Sequence, residues 1–219
     1  MANPKCPAII KFCAVRVTLL DTDGTDAGEY YVSDKTVSLG ITPDISTGQD
    51  REVRNGCDCI VAASKAPDIL KRFTFQLDQG VLEPGLIAMM LGQQAILDPD
   101  NATAVIGINW IIDQFQCGSP SNVALEGWSS AEDLDHPDAD FPWLHWRWPS
   151  TQWQIGPATL GADYTQPQLT GFSQGNTEFG DPFSDLPADG TGIIDSSFFS
   201  LWLEAGPPPT AACGTQEIV

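Results

Sequence analysis

Hydrophobic and polar positions alternate with a period of two along much of this chain. Cys13, Val15, Val17 and Leu19 share one parity against Ala14, Arg16 and Thr18. Val37, Leu39 and Ile41 alternate with Thr36, Ser38 and Gly40, and Phe73, Phe75 and Leu77 with Thr74 and Gln76. Ile106, Ile108, Trp110 and Ile112 oppose Asn109 and Asp113; Leu144, Trp146 and Trp148 oppose Trp143, His145 and Arg147. Side chains alternate across a strand, so each pattern predicts a strand with one buried face. Asp21-Thr-Asp-Gly24, Asn55-Gly56 and Asp98-Pro-Asp-Asn101 supply turns between them.

One segment has helical spacing instead. Leu86, Ile87, Met90 and Leu91 form an apolar stripe, Pro84 suits the first turn, and Gly92 suits the position past the end. The spacing predicts a packing helix over 84–91 inside a β-rich domain. The proline run Pro207–Pro209 opens a tail that cannot continue a strand. Two segments read as loops: 130–140, with Glu132, Asp133, Asp135, Asp138 and Asp140, and the proline-rich 180–187.

Charge is divided unevenly. Residues 1–72 hold nine of the ten basic side chains and ten acids, a net of −1. Residues 73–219 hold nineteen acids and the single base Arg147, a net of −18. The tryptophans and β-branched residues of that half exclude an acidic disordered tail and leave a folded body with a negative surface. Gripping phosphate needs clustered Lys and Arg, so a nucleic-acid-binding role is disfavoured. No stretch reaches the ~20 apolar residues of a membrane helix. Residues 1–7 carry no apolar run of the signal-peptide kind, so synthesis in the cytoplasm is expected.

Candidate chemistry is sparse. Asp21–Asp26 resembles a calcium loop superficially but lacks the further ligand and the closing glutamate; a hairpin turn with Gly24 at positive φ explains it better. Carboxylate pairs and seven tryptophans allow a carbohydrate-binding or glycoside-cleaving β module. Yet four tryptophans crowd into 143–153 with strand alternation, which suits packing. The two histidines, His136 and His145, leave few bases for nucleophilic catalysis, and no glycine-rich loop leads into a helix. Of the six cysteines, Cys57 and Cys59 sit two apart on an apparent strand; buried free thiols are expected rather than zinc ligands. No catalytic activity, cofactor or metal is expected.

The ordered set of segments over 37–92 is more specific. Val37-Ser-Leu-Gly-Ile-Thr-Pro-Asp-Ile45, Gly48-Gln-Asp-Arg-Glu-Val53 and Asn55-Gly-Cys-Asp-Cys-Ile60 come first. Lys65-Ala-Pro-Asp-Ile-Leu-Lys-Arg-Phe73 and Pro84-Gly-Leu-Ile-Ala-Met-Met-Leu-Gly92 follow. Together they resemble the major tail tube protein of long, non-contractile-tailed bacteriophages, particularly those of actinobacteria. Phe141–Pro149 with Trp153 resembles the family's aromatic strand, and Leu169–Phe172, Asn176 and Gly180–Pro187 its late strand and loop. Leu186 stands where that loop usually has tryptophan, and its second glycine is missing.

The resemblance covers about 13–204 and implies a β-sandwich or split barrel with one short flanking α-helix. A residue 1–12 arm would precede this domain, and a Pro-rich tail, 205–219, would follow it. Six copies would form a ring, rings would stack, and inner sheets would close a lumen. The implied partners are further copies of the chain, a tape measure protein, and tail terminator and distal tail proteins. DNA would pass without specific binding, and the final location would be the virion tail. Another ring-forming tube or tail terminator protein is the neighbouring alternative. Asp113 and Asn109, with Glu126 and Glu178, are the expected lumen-facing positions. Arg51, Arg54, Lys71 and Arg72 are the expected subunit-contact cations.

Overall fold

The computed structural model describes residues 8–101, 104–109, 121–132, 142–156, 168–176, 199–204, 207–210 and 216–217. The chain is mainly β, with antiparallel sheets and one short flanking helix. In chain order the elements are β1 (Ala8–Leu20), β2 (Asp26–Ser33), β3 (Thr36–Ser46), β4 (Asp50–Arg54), β5 (Ile60–Lys65) and β6 (Ile69–Gln79). There follow α1 (Pro84–Leu91), β7 (Gln94–Leu97), β8 (Val105–Asn109), β9 (Asn122–Glu132), β10 (Trp143–Ile155), β11 (Gln168–Gln174), β12 (Ser200–Glu204) and β13 (Gln216–Glu217).

Among the described residues the main sheet runs β13-β2-β1-β9-β10-β11-β6-β3, with β12 also on β10. It curls until β3 lies near β1. The inner surface carries Val15, Val17, Val123, Leu125, Trp148, Trp153, Leu169, Phe75 and Leu77, all buried. The Phe75 ring meets Trp148 edge-on at 5.1 Å and stacks on Trp153 at 5.6 Å. The aromatic crowding of 143–153 is therefore core, and no described tryptophan side chain is exposed.

Helix α1 packs against β1, β2, β8 and β10. Pro84 begins it, and Gly92, at φ 61°, ends it by donating to the Met89 carbonyl. Leu86, Ile87 and Met90 are buried as the stripe requires; Leu91 is half-buried at the rim. Ala88 and Met89 are buried too, so the helix is wrapped more completely than a one-sided stripe predicts.

Several expectations shift. β1 begins at Ala8 and pairs with β9 from there, so 8–12 is strand rather than free arm. β13 pairs with Glu29 and Tyr30 of β2, which gives the tail a strand after its prolines. Val37 is exposed because the β3–β6 register slips between Thr36 and Ser38. Such a bulge removes one residue from the alternation. Among the described residues β8 pairs only with β7, and Ile106 is exposed while Ile108 packs on the core. Its face is thus only partly buried, contrary to the pattern. Trp110, Ile112 and the loop 180–187 lie outside the described residues, as do 133–140, whereas 130–132 continue β9.

Candidate subunit-contact surfaces

β3 and β6 outrun the body, and the β4–β5 hairpin carries them further. The resulting arm spans 43–72, and none of its residues is buried. Its strands are held by ladder pairs from Pro43↔Phe73 to Ser46↔Ile69 and from Asp50↔Lys65 to Arg54↔Ile60. Between the two ladders the Gln49 carbonyl accepts the Ala66 N–H at 3.1 Å, and Asp68 Oδ1 accepts the Gly48 N–H at 2.8 Å. Gly48 is required there: a Cβ would stand 1.8 Å from the Ala66 carbonyl oxygen. At the tip, the Asn55 carbonyl accepts the Asp58 N–H at 2.9 Å, and Asp58 takes φ 61°. That is a three-residue hairpin loop, with its left-handed position filled by Asp58 rather than by the glycine of Asn55-Gly56.

The arm displays apolar side chains to solvent. Ile45 and Leu70 face each other across the ladder, and Val53, Ile60, Val61 and Ile69 are also exposed. Arg51, Arg54, Lys71 and Arg72, named from sequence as contact cations, all lie on it. Arg54 pairs with Glu52 at 3.0 Å and Asp58 at 3.3 Å. Arg72 pairs with Asp44 at 3.1 Å and lies over the Phe172 ring at 4.9 Å. Arg51 and Lys71 have no ion pair among the described residues. The arm holds five basic and five acidic side chains and is neutral, in a chain of net charge −19.

A second surface is the outer face of β10, β11, β6 and β3. Gln154, Thr170 and Gln76 form one row with Gly40, and Gln168, Asp78 and Ser38 another. Asp78 accepts from Ser38 at 2.7 Å and Gln168 at 2.9 Å. The hydrogen bond from Gln168 is the main cause holding its carboxyl below the ordinary value. The sequence alternation contains this amide and hydroxyl face, but nothing in it shows that the four strands lie side by side. β3 forms one end of the sheet, and Pro43 within it is a residue that sheets tolerate at edges.

The expected lumen positions fare differently. Asp113 and Glu178 lie outside the described residues. Asn109 is exposed, and its side chain donates to Gln94 Oε1 at 3.1 Å. Glu126 is a correction: it is buried at 3 % exposure and lines no open surface of the chain. Arg16 Nε donates to its Oε2 at 2.5 Å; His145 Nε2 lies 3.4 Å and Arg147 Nε 4.0 Å from its Oε1. The sheet's second face buries these groups with Trp128, which stacks on His145 at 4.1 Å. Burial pushes the Glu126 carboxyl up, but the His145 hydrogen bond and the Arg16 charge outweigh it and bring it to about 2. Along β9 Glu126 lies opposite the core residues Val123 and Leu125, and this second face is covered as well.

The cysteines are also corrected. Cys57 and Cys59 are exposed in the arm-tip turn rather than buried on a strand, and Cys13 is half-buried. Gly24 has φ 91° as the turn at 21–24 requires, and Asp23 Oδ1 there accepts from Thr25. Among the described residues no group of three or more metal-ligating side chains converges, and no helix is long and apolar enough to cross a membrane. No family model and no curated protein matches the chain.

Proposed function

We propose that this chain is a structural subunit of a bacteriophage tail tube, and that its copies form rings, six to a ring, which stack. The supporting observation is the arm at 43–72. A two-stranded ribbon exposed on every side, bearing Ile45, Val53, Ile60, Val61, Ile69 and Leu70, has no core of its own to justify its length. A second copy is the partner that fits. The arm is neutral and so can approach a body whose negative charge repels other bodies. The edge of β3, unpaired among the described residues, gives ring closure a strand to pair. The resemblance in sequence order over 37–92 points the same way.

In this reading the channel wall is the amide and hydroxyl face of β10, β11, β6 and β3, with Asp78 as its central acid. Arg72 shares that face but is already paired with Asp44 at 3.1 Å, so among the described residues the wall offers DNA phosphates no unpaired cation and a genome slides past rather than sticking. Tape measure, terminator and distal tail proteins would bind the lumen and the two ends of the tube.

Negative-stain electron microscopy of the purified full-length chain tests the proposal. Hollow tubes or stacked rings are expected on concentration. A chain that remains monomeric at high concentration and at physiological salt overturns it, and single rings that never stack favour a terminator-like protein instead.

A further inference from the structure

The arm tip carries two thiols in one turn. Cys57 and Cys59 are both free and exposed, and a single acceptor organises them: Asn55 Oδ1 takes the Cys57 N–H and the Cys59 N–H, each at 3.0 Å. The backbone curls around that oxygen, with Asp58 left-handed between the two cysteines. Cys59 Sγ lies 3.7 Å from the Cys57 carbonyl oxygen, so its thiol leans back toward its neighbour. An extended segment would hold Cα atoms two residues apart at ~6.8 Å, the outer limit for a disulfide. The curled turn draws them inside that limit. The remaining described thiol, Cys13, is half-buried on β1 and directs its Sγ to the Lys11 carbonyl at 3.4 Å.

From this geometry we infer that the arm tip is a dithiol modification site whose reactant is a small-molecule disulfide. The thiolate of one tip cysteine attacks a sulfur of the small disulfide; its S–S bond breaks and one small thiolate leaves. The second tip cysteine gives its proton to solvent and attacks the protein-bound sulfur. The Cys57–Cys59 bond forms and the second small thiolate departs. Two protein thiols are oxidised to one disulfide, and one small disulfide is reduced to two thiols. The second step is intramolecular, so ring closure outruns the trapping of a second adduct. A ring this small is strained, which keeps its potential high and its formation reversible by small thiols. Exchange needs only the folded, unassembled chain, in which both thiols are exposed.

The test uses the reduced full-length chain in buffers of glutathione and glutathione disulfide, quenched with an alkylating reagent and read by intact mass and peptide mapping. Excess glutathione disulfide is expected to remove both tip thiols from alkylation, with Cys57 and Cys59 linked in one peptide. Added glutathione should restore both. Cys57→Ser and Cys59→Ser should each stop at one glutathione adduct on the tip, and Cys13→Ser should behave as the parent. The inference is overturned if the parent's tip thiols stay alkylatable in excess oxidant or stop at stable adducts. It is equally overturned if they link to any of the other four cysteines or to another chain.

Discussion

Glu126 is where one side chain decides most. It is buried against Arg16, His145 and Arg147, and its carboxyl is lowered from 4.5 to about 2. A carboxylate depressed in the folded state stabilises fully above its unfolded value and loses that stabilisation as pH falls toward the folded value. Glu126 should thus contribute on the order of 3 kcal/mol at neutral pH, lost between about 4.5 and 2. Glu126→Gln should flatten acid unfolding in that window and cost ~3 kcal/mol or more at neutral pH, because the buried cations lose their counter-charge. Urea titrations across pH read both effects. Gln79 predicts the opposite sign. It is fully buried, and among the described residues neither its Nε2 nor its Oε1 has a hydrogen-bond partner. Gln79→Met fills a similar volume without the desolvated amide and should raise stability by ~1–2 kcal/mol. An unchanged or lowered urea midpoint would contradict this. Neither environment was legible in sequence. Glu126 reads there as a lumen-facing acid, and Gln79 as the polar residue that follows Asp78. Burial on both sides of a sheet depends on strands brought together from distant parts of the chain.

At the scale of elements the sequence says more. Helix α1 was readable from Pro84 to Gly92 because caps and spacing are local, and β6 was readable from Phe73, Phe75 and Leu77. β8 misled, because a pattern of Ile106 and Ile108 predicts a buried face whether or not a partner covers it. Leu86→Ala should cost ~2–5 kcal/mol in the unassembled subunit, and Leu91→Ala clearly less because Leu91 is only half-buried. Equal losses in melting temperature would contradict the placement of the helix. The arm obeys a different rule. Replacing 47–67 with a short glycine linker removes no buried residue, so the body should melt within a few degrees of the parent while tube formation disappears. Charge reversal should act in the same direction but more weakly. Arg51→Glu and Lys71→Glu disturb no ion pair among the described residues, so slowed assembly in light scattering would report contacts between copies. Normal assembly in the truncated chain and both reversals would remove the arm from the interface.

For the whole molecule, net charge −19 sets the approach of one copy to another. Bodies of like charge repel over a Debye length, ~30 Å at 0.01 M salt and ~8 Å at 0.15 M. Association should therefore be faster at physiological salt than at low salt, the reverse of what attraction between opposite charges gives. Stopped-flow scattering across that range checks the sign, and faster association at low salt would show that ion pairs dominate the contact. The uneven division of charge was visible in the sequence. Where the acids sit was not, since burial of an acid such as Glu126 depends on strands distant in sequence coming together.

The order of strands in the main sheet has a consequence for time. β1 can pair early with β2 and β6 with β3, but β1's other partner β9 follows about a hundred residues later, and β6 must wait for β11. Pairings so far apart in sequence close slowly. The β4–β5 hairpin joins segments only a few residues apart and can close on the microsecond scale of isolated hairpins. As the chain leaves the ribosome, the ribbon with the greasy flanks is thus present well before the sheet that anchors it. The nascent chain carries its adhesive before it has a body to be attached to, and the interval between the two is when a chaperone would have most to do.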